Sequence, residues 1–163
     1  MSNIFITSDT HFYHTNIIKY CNRPFESVEE MNEKLIENWN SVVGKYDTVY
    51  HLGDFCIGGR KQITEIAHRL RGNIKLIKGN HDEHSNKFFR ECGFQEVYDL
   101  PILLENKFLL SHTPIAISDY IVTLYGHVHT DENCDTYTYN SACVCVERHD
   151  YKPVSLEYIK SLY

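Results

Sequence analysis

Five short apolar runs in this sequence each lead into side chains able to bind a metal. Ile74-Lys75-Leu76-Ile77 runs into Lys78-Gly79-Asn80-His81-Asp82, Ile4-Phe5-Ile6 into Asp9-Thr10-His11, and Val49-Tyr50-His51-Leu52 into Gly53-Asp54. Phe108-Leu109-Leu110 leads to Ser111-His112, and Ile121-Val122-Thr123-Leu124-Tyr125 to Gly126-His127-Val128-His129. Asp-x-His alone signals little, since a turn aspartate beside a surface histidine reads the same way. Of ten histidines, however, His11, His81, His112, His127 and His129 all follow apolar runs. With Asp9, Asp54 and Asn80 they offer enough oxygen and nitrogen ligands for two divalent ions, provided one carboxylate bridges. No cysteines stand at the spacing of a structural zinc site.

The elements that must position these residues are strands ending at one edge, where layered α/β sheets place their ligands. Asn3 to Thr7 is short and apolar, as a strand covered on both faces should be. His14 to Cys21 reads as a short helix ending before Arg23-Pro24. Ser27-Val28-Glu29-Glu30 has the form of a capping box, and Val28, Met31, Leu35, Trp39 and Val42 then recur at helical spacing, a packing stripe that Gly44 stops. Asp47 to Leu52 is the second strand. Ile63, Ile66, Ala67 and Leu70 mark a helix closed by Gly72, so Asp47 to Lys78 forms a βαβ unit and brings Asp54 and Asn80 to one edge. Phe88-Phe89 suggests a short helix ended by Cys92-Gly93. Beyond Phe94 strand follows strand (Gln95 to Asp99, Ile102 to Leu104, Lys107 to Leu110, Ile121 to Tyr125, and segments near Tyr137 to Asn140 and Ala142 to Val146), a pattern that predicts hairpins. The tail from Pro153 is either a helix capped by Ser155 or an edge strand running into a helical turn.

The 163 residues, 42% of them hydrophobic, suit a single domain spanning 1–163. A net charge of −6 speaks against a surface devoted to nucleic acid, which is not indicated as a partner. No apolar run approaches the roughly 20 residues of a membrane span, and the N-terminus lacks the basic and apolar regions of a secretion signal. Six cysteines without a Cys-x-x-Cys pair then read as reduced thiols, and the expected location is cytoplasmic.

The order Asp-x-His, Gly-Asp, Gly-Asn-His-Asp, an isolated His and Gly-His-x-His, spanning residues 9 to 129, resembles the calcineurin-like metallophosphoesterases. The resemblance implies an α/β fold, a four-layer α/β/β/α sandwich of two mixed sheets flanked by helices. It also implies that Asp9, His11 and His129 bind one metal, that Asn80, His112 and His127 bind the other, and that Asp54 bridges. His81 would be the proton donor to the leaving oxygen, held by Asp82. Two ions roughly 3.5 to 4 Å apart would clamp the phosphoryl oxygens and generate hydroxide for in-line attack. Manganese leads as the cofactor, with iron, zinc or nickel as alternatives.

His14 and Arg23 are candidate substrate contacts, each with a bland alternative: the first turn of a surface helix, and an exposed loop arginine. His51 reads as a core histidine, and His68, His84 and His149 as surface residues. The Asp-Arg-Gly that protein phosphatases of the superfamily place after Gly-Asp is absent from Gly53 to Arg60, and no long insertion caps the site. The expected activity is therefore a phosphodiesterase on a small or nucleotide-like phosphate ester. Phosphomonoesterase, nuclease and a non-catalytic binding scaffold of the same fold are the alternatives, and His81 itself speaks against the scaffold.

Overall fold

The computed structural model describes residues 2–163. Two mixed sheets pack face to face with helices flanking them. The first sheet contains β1 (Ile4–Thr7), β2 (Thr48–His51), β3 (Asn73–Ile77), β4 (Glu96–Tyr98) and β9 (Val154–Ser155), in the order β4-β3-β2-β1-β9. Its first four strands are parallel and β9 is antiparallel. The second sheet has the order β5-β6-β7-β8, formed by Ile102–Leu104, Phe108–Ser111, Val122–Tyr125 and Ser141–Cys143.

Parallel strands need crossovers, and the helices provide them: α1 (Ile17–Tyr20) and α2 (Val28–Val42) between β1 and β2, α3 (Arg60–Arg69) between β2 and β3, and α4 (Asn86–Glu91) between β3 and β4. Ser27 Oγ caps α2 by accepting the Glu30 amide, 3.1 Å, while Glu30 reaches back one residue further than a capping box requires, to the Glu26 amide at 2.7 Å. Met31, Leu35 and Trp39 are buried as the stripe predicts. Val42 is exposed instead, because α2 ends there and the extended Val43 turns inward. These side chains, with Ile63, Ile66, Phe89 and Phe94, form a core between the helices and the first sheet. A second core lies between the sheets, where Ile6, Leu52 and Ile77 meet Phe108, Leu110, Val122 and Leu124. Both expectations for the tail hold at once: β9 runs into α5 (Leu156–Lys160), Ser155 Oγ accepts the Tyr158 amide, and Leu156 and Ile159 enter this core.

The hairpin expectation is corrected. Among the described residues of the second sheet, β5 and β6 are the one antiparallel strand pair, turning through Glu105 and Asn106, both at positive φ, and a single antiparallel bridge joins Tyr137 to Ala142. β4 joins the first sheet, and β6, β7 and β8 are parallel to one another. Every residue of β6 and β7 is buried, as in parallel strands covered on both faces. A segment without helix or strand, residues 113–120, packs against the second sheet, where Thr123 Oγ1 donates to the Ile115 carbonyl, 2.5 Å. The parallel arrangement matters for function, because it delivers His112, Gly126-His127 and the chain beyond β8 to one edge.

Candidate metal centre

Each ligand candidate sits just past a strand: Asp9 and His11 after β1, Asp54 after β2, Asn80 after β3, His112 after β6, and His127 and His129 after β7. The chain must turn sharply there to point side chains into one place. Asp9, His11, Asp54, His127 and His129 all adopt positive φ, between 46° and 71°. Asp and His tolerate this region better than most residues, yet each instance costs about 1–3 kcal/mol and survives only where the surroundings enforce it. Gly79 and Gly126 make the turns possible, since a Cβ on Gly79 would collide with Asp54 and one on Gly126 with Ser8 and Asp9.

The side chains form two groups sharing one oxygen. In the first, Asp9 Oδ1 is 3.6 Å from His11 Nε2 and 3.4 Å from His129 Nε2. In the second, His112 Nε2 is 3.0 Å from Asn80 Oδ1 and 3.1 Å from His127 Nδ1, with Asn80 Oδ1 and His127 Nδ1 also 3.1 Å apart. Asp54 Oδ2 stands between the groups, 3.5 Å from both His11 Nε2 and His112 Nε2. Ligands about 2.1 Å from a shared cation at octahedral to tetrahedral angles are about 3.0–3.5 Å apart, so both groups have the dimensions of a coordination shell.

Polar atoms left over by the protein point the same way. Asp9 Oδ1 and both His11 ring nitrogens are buried without a hydrogen-bond partner. Asp9 Oδ2, by contrast, accepts from Ser8 Oγ at 2.5 Å and the His127 amide at 2.8 Å. Burial disfavours the charged Asp9 carboxylate, but the imidazoles of His11, His129 and His112 around it outweigh that cost and hold its pKa well below the usual carboxylate range. Unpaired buried acceptors are costly, and a divalent cation satisfies them; the donor set fits a metal. A third grouping, Cys21, His129 and Glu147, lies on the side of the other His129 ring nitrogen, Nδ1. There Arg23 already supplies the positive charge.

The calcineurin-like phosphoesterase profile matches residues 2–151. The chain belongs to this family. It is 42% identical to an uncharacterized protein of Methanocaldococcus jannaschii, over 99% of this chain and 92% of the relative. An Aquifex aeolicus protein of unknown function superposes with a TM-score of 0.77 at 31% identity, covering all of both chains. A nuclease of Pseudomonas putida shares the fold, with a TM-score of 0.53 at 22% identity over 77% of this chain and 61% of its own.

Around the ligand groups, the phosphoesterase carries a buried support that its sequence reveals only in part. The Arg23 guanidinium is buried, not exposed: it donates to the carbonyls of Asp9 (2.7 Å) and Thr10 (2.8 Å) and to Glu147 Oε1 (2.6 Å). Every direction of its fork is engaged with protein, which leaves no accessible face for a substrate and corrects the expectation of a substrate contact. Glu147 Oε1 also bonds His129 Nδ1 at 2.9 Å, freeing Nε2 to face Asp9. Burial disfavours the protonated His129 ring, but the neighbouring Cys21 and Glu147 and the charge of Asp9 raise its pKa to about 10. Sequence reasoning missed Glu147; it follows no motif, and only the parallel placement of β8 brings it here.

His112 Nδ1 donates to the Leu52 carbonyl at 2.7 Å, which fixes the tautomer with Nε2 free. His51 is the buried histidine expected, hydrogen-bonded to Thr10 Oγ1 at 2.9 Å, and burial pushes its pKa down to about 3. His149 is half-buried against the Cys143 carbonyl rather than on the surface. Asp82 does not hold the His81 ring. Its buried carboxylate accepts the backbone amides of Asp54 (2.7 Å), Phe55 (3.1 Å) and Gly79 (2.9 Å), tying the turn after β2 to the turn after β3. Burial raises its pKa and those amides oppose the rise.

His81 is exposed at the mouth, its amide donating to Asp54 Oδ1 at 2.9 Å and its ring centroid 5.4 Å from that of His11. His14 borders the same opening, 5.3 Å from His11 and 6.2 Å from His81. Burial, then the charges of His11 and His81, lower its pKa, which favours the neutral ring.

Proposed function

We propose that this phosphoesterase holds two divalent ions and hydrolyses a small or nucleotide-like phosphodiester. The observation that carries the reading is Asp54 Oδ2, equidistant at 3.5 Å from a nitrogen of each ligand group. Asp9, His11 and His129 would hold one ion and Asn80, His112 and His127 the other, with Asp54 shared between them. Ions bound there would supply the positive charge that stabilises the phosphoryl oxygens and lowers the pKa of an attacking water. Manganese suits the mixed carboxylate, amide and imidazole donors, as do iron, zinc and nickel. The six free thiols support a cytoplasmic location.

The chain's own residues orient and protonate. Arg23 and Glu147 fix the turn at Asp9 and the ring of His129, and Asp82 fixes the turns that carry Asp54 and Asn80. His81 donates a proton to the leaving oxygen as its bond to phosphorus breaks and the water oxygen bonds to phosphorus; the water's proton passes to solvent. His14, neutral and beside His81, contacts the substrate. The open mouth and the absence of an Asp-Arg-Gly after Asp54 support a small diester over a phosphoprotein.

His81→Ala should lower turnover of a chromogenic diester by about 10²–10⁴-fold while two metals stay bound. Full activity in that variant would overturn the assignment of the acid. A second reading, nuclease, is favoured by the likeness to the Pseudomonas putida enzyme. Cleavage of single-stranded oligonucleotides at rates above those of small diesters would decide for it.

A further inference from the structure

A cavity of about 430 Å³ opens beside His81, walled by Ile57, Gly58, Glu83, His84 and Phe89. Its volume is in the range of small-molecule sites. From this cavity we infer a binding site for the leaving group, one that selects an uncharged alcohol carrying a planar ring, such as a nucleoside. The inference rests on the phosphodiesterase reading, because it takes His81 as the acid.

The acid marks the side from which the leaving group departs, and His81 belongs to the wall of the cavity, so a departing alcohol enters it. Its wall is aromatic. The exposed His84 ring stacks on Phe88 with centroids 3.9 Å apart and planes 20° from parallel, and Phe89 lies edge-on to His84 at 6.1 Å. Phe88 backs one face of the imidazole and holds the ring rigid, so a planar ligand can stack without first ordering it.

The charges select against phosphate. No lysine or arginine lines the cavity, while Glu83 contributes a carboxylate. Arg60 packs over the Phe88 ring, 4.6 Å from guanidinium carbon to centroid, and is paired with Glu91 at 2.9 Å. A leaving group bearing a further phosphate would bring it against the Glu83 carboxylate with no lysine or arginine in the wall to receive it, as a strand continuing past the scissile bond does. On this account a terminal nucleoside is released more readily than an internal segment of nucleic acid.

The test compares manganese-loaded protein on three diesters that share the retained nucleoside and differ in the leaving alcohol: methanol, a nucleoside, and a nucleoside bearing a phosphate. The expected kcat/KM for the nucleoside is about tenfold above that for methanol, and the phosphorylated nucleoside falls below the unphosphorylated one. His84→Ala should bring the ratio of nucleoside to methanol close to one. Glu83→Lys should raise the phosphorylated leaving group relative to the unphosphorylated one. Equal rates for methanol and nucleoside in the native protein, or a ratio unmoved by His84→Ala, would overturn the site and leave the phosphodiesterase reading intact. Failure of that reading looks different: no diester is cleaved while monoesters are. The same leaving alcohols presented as monoesters then decide the site by the same ratio, and cleavage of neither class would overturn both.

Discussion

Glu147 and Arg23 show how much of a candidate metal centre lies beneath the side chains that face the cation site. His129 can present Nε2 to a cation only while Nδ1 donates its proton elsewhere, and Glu147 is that acceptor. Glu147→Gln should therefore weaken metal affinity at the Asp9, His11 and His129 position by about 10–100-fold, with little change at the other, measured by titrating metal into chelator-stripped protein. Equal loss at both positions would mean that the whole edge had collapsed. Arg23 and His129 share Glu147, so the effects of Arg23→Lys and Glu147→Gln should be strongly non-additive. His51 gives a second prediction. Its pKa is about 3 in the folded protein and ordinarily about 6.5, so between these values the unfolded chain binds a proton that the folded chain refuses. The stability it contributes is whole above pH 6.5 and is lost as pH falls toward 3. Urea midpoints in chelator should decline over that window, more gently in His51→Gln; parallel declines would contradict the assignment.

At the level of elements, the turns that follow the strands are held by shared groups. Asp82 joins the turn after β2 to the turn after β3 through three amides, and Asp82→Ala would leave those donors buried and unpaired. The expected cost is about 3–5 kcal/mol, read from denaturant unfolding. A smaller substitution separates function from stability. Gly126→Ala places a methyl group against Ser8 and Asp9, so it should abolish metal binding at the Asp9 position even if the fold persists. Much of this organisation was legible in the sequence, because apolar runs followed by Asp, Asn and His mark both the strands and what they deliver. Direction was not legible: β6, β7 and β8 are short, and nothing in a buried apolar run distinguishes a parallel partner from an antiparallel one. Arg23 was misjudged for a related reason, since a loop arginine ordinarily faces solvent and only the tertiary fold brings Glu147 and two carbonyls around it. Asp82 was misjudged because adjacency to His81 in the chain suggested contact, whereas consecutive residues at a turn face apart.

The molecule as a whole is a sandwich whose strands from both sheets converge on one edge, with two buried aspartates and five candidate ligand residues in left-handed turns. Such an edge is poorly satisfied by itself, with Asp9 Oδ1 and His11 lacking partners, and metal binding should stabilise the entire fold. Each ion at about a hundred times its Kd adds about 2.7 kcal/mol, or about 5–10 °C in Tm for a domain of this size, so chelation should lower Tm by at least that much. The central claim is that two ions act together across Asp54. Its most direct test is to add manganese stepwise to metal-free protein while following bound metal and hydrolysis of bis(p-nitrophenyl) phosphate. The account predicts two equivalents bound, negligible hydrolysis after the first and full activity with the second. Full activity at one equivalent, or two bound ions with no cleavage, would contradict it.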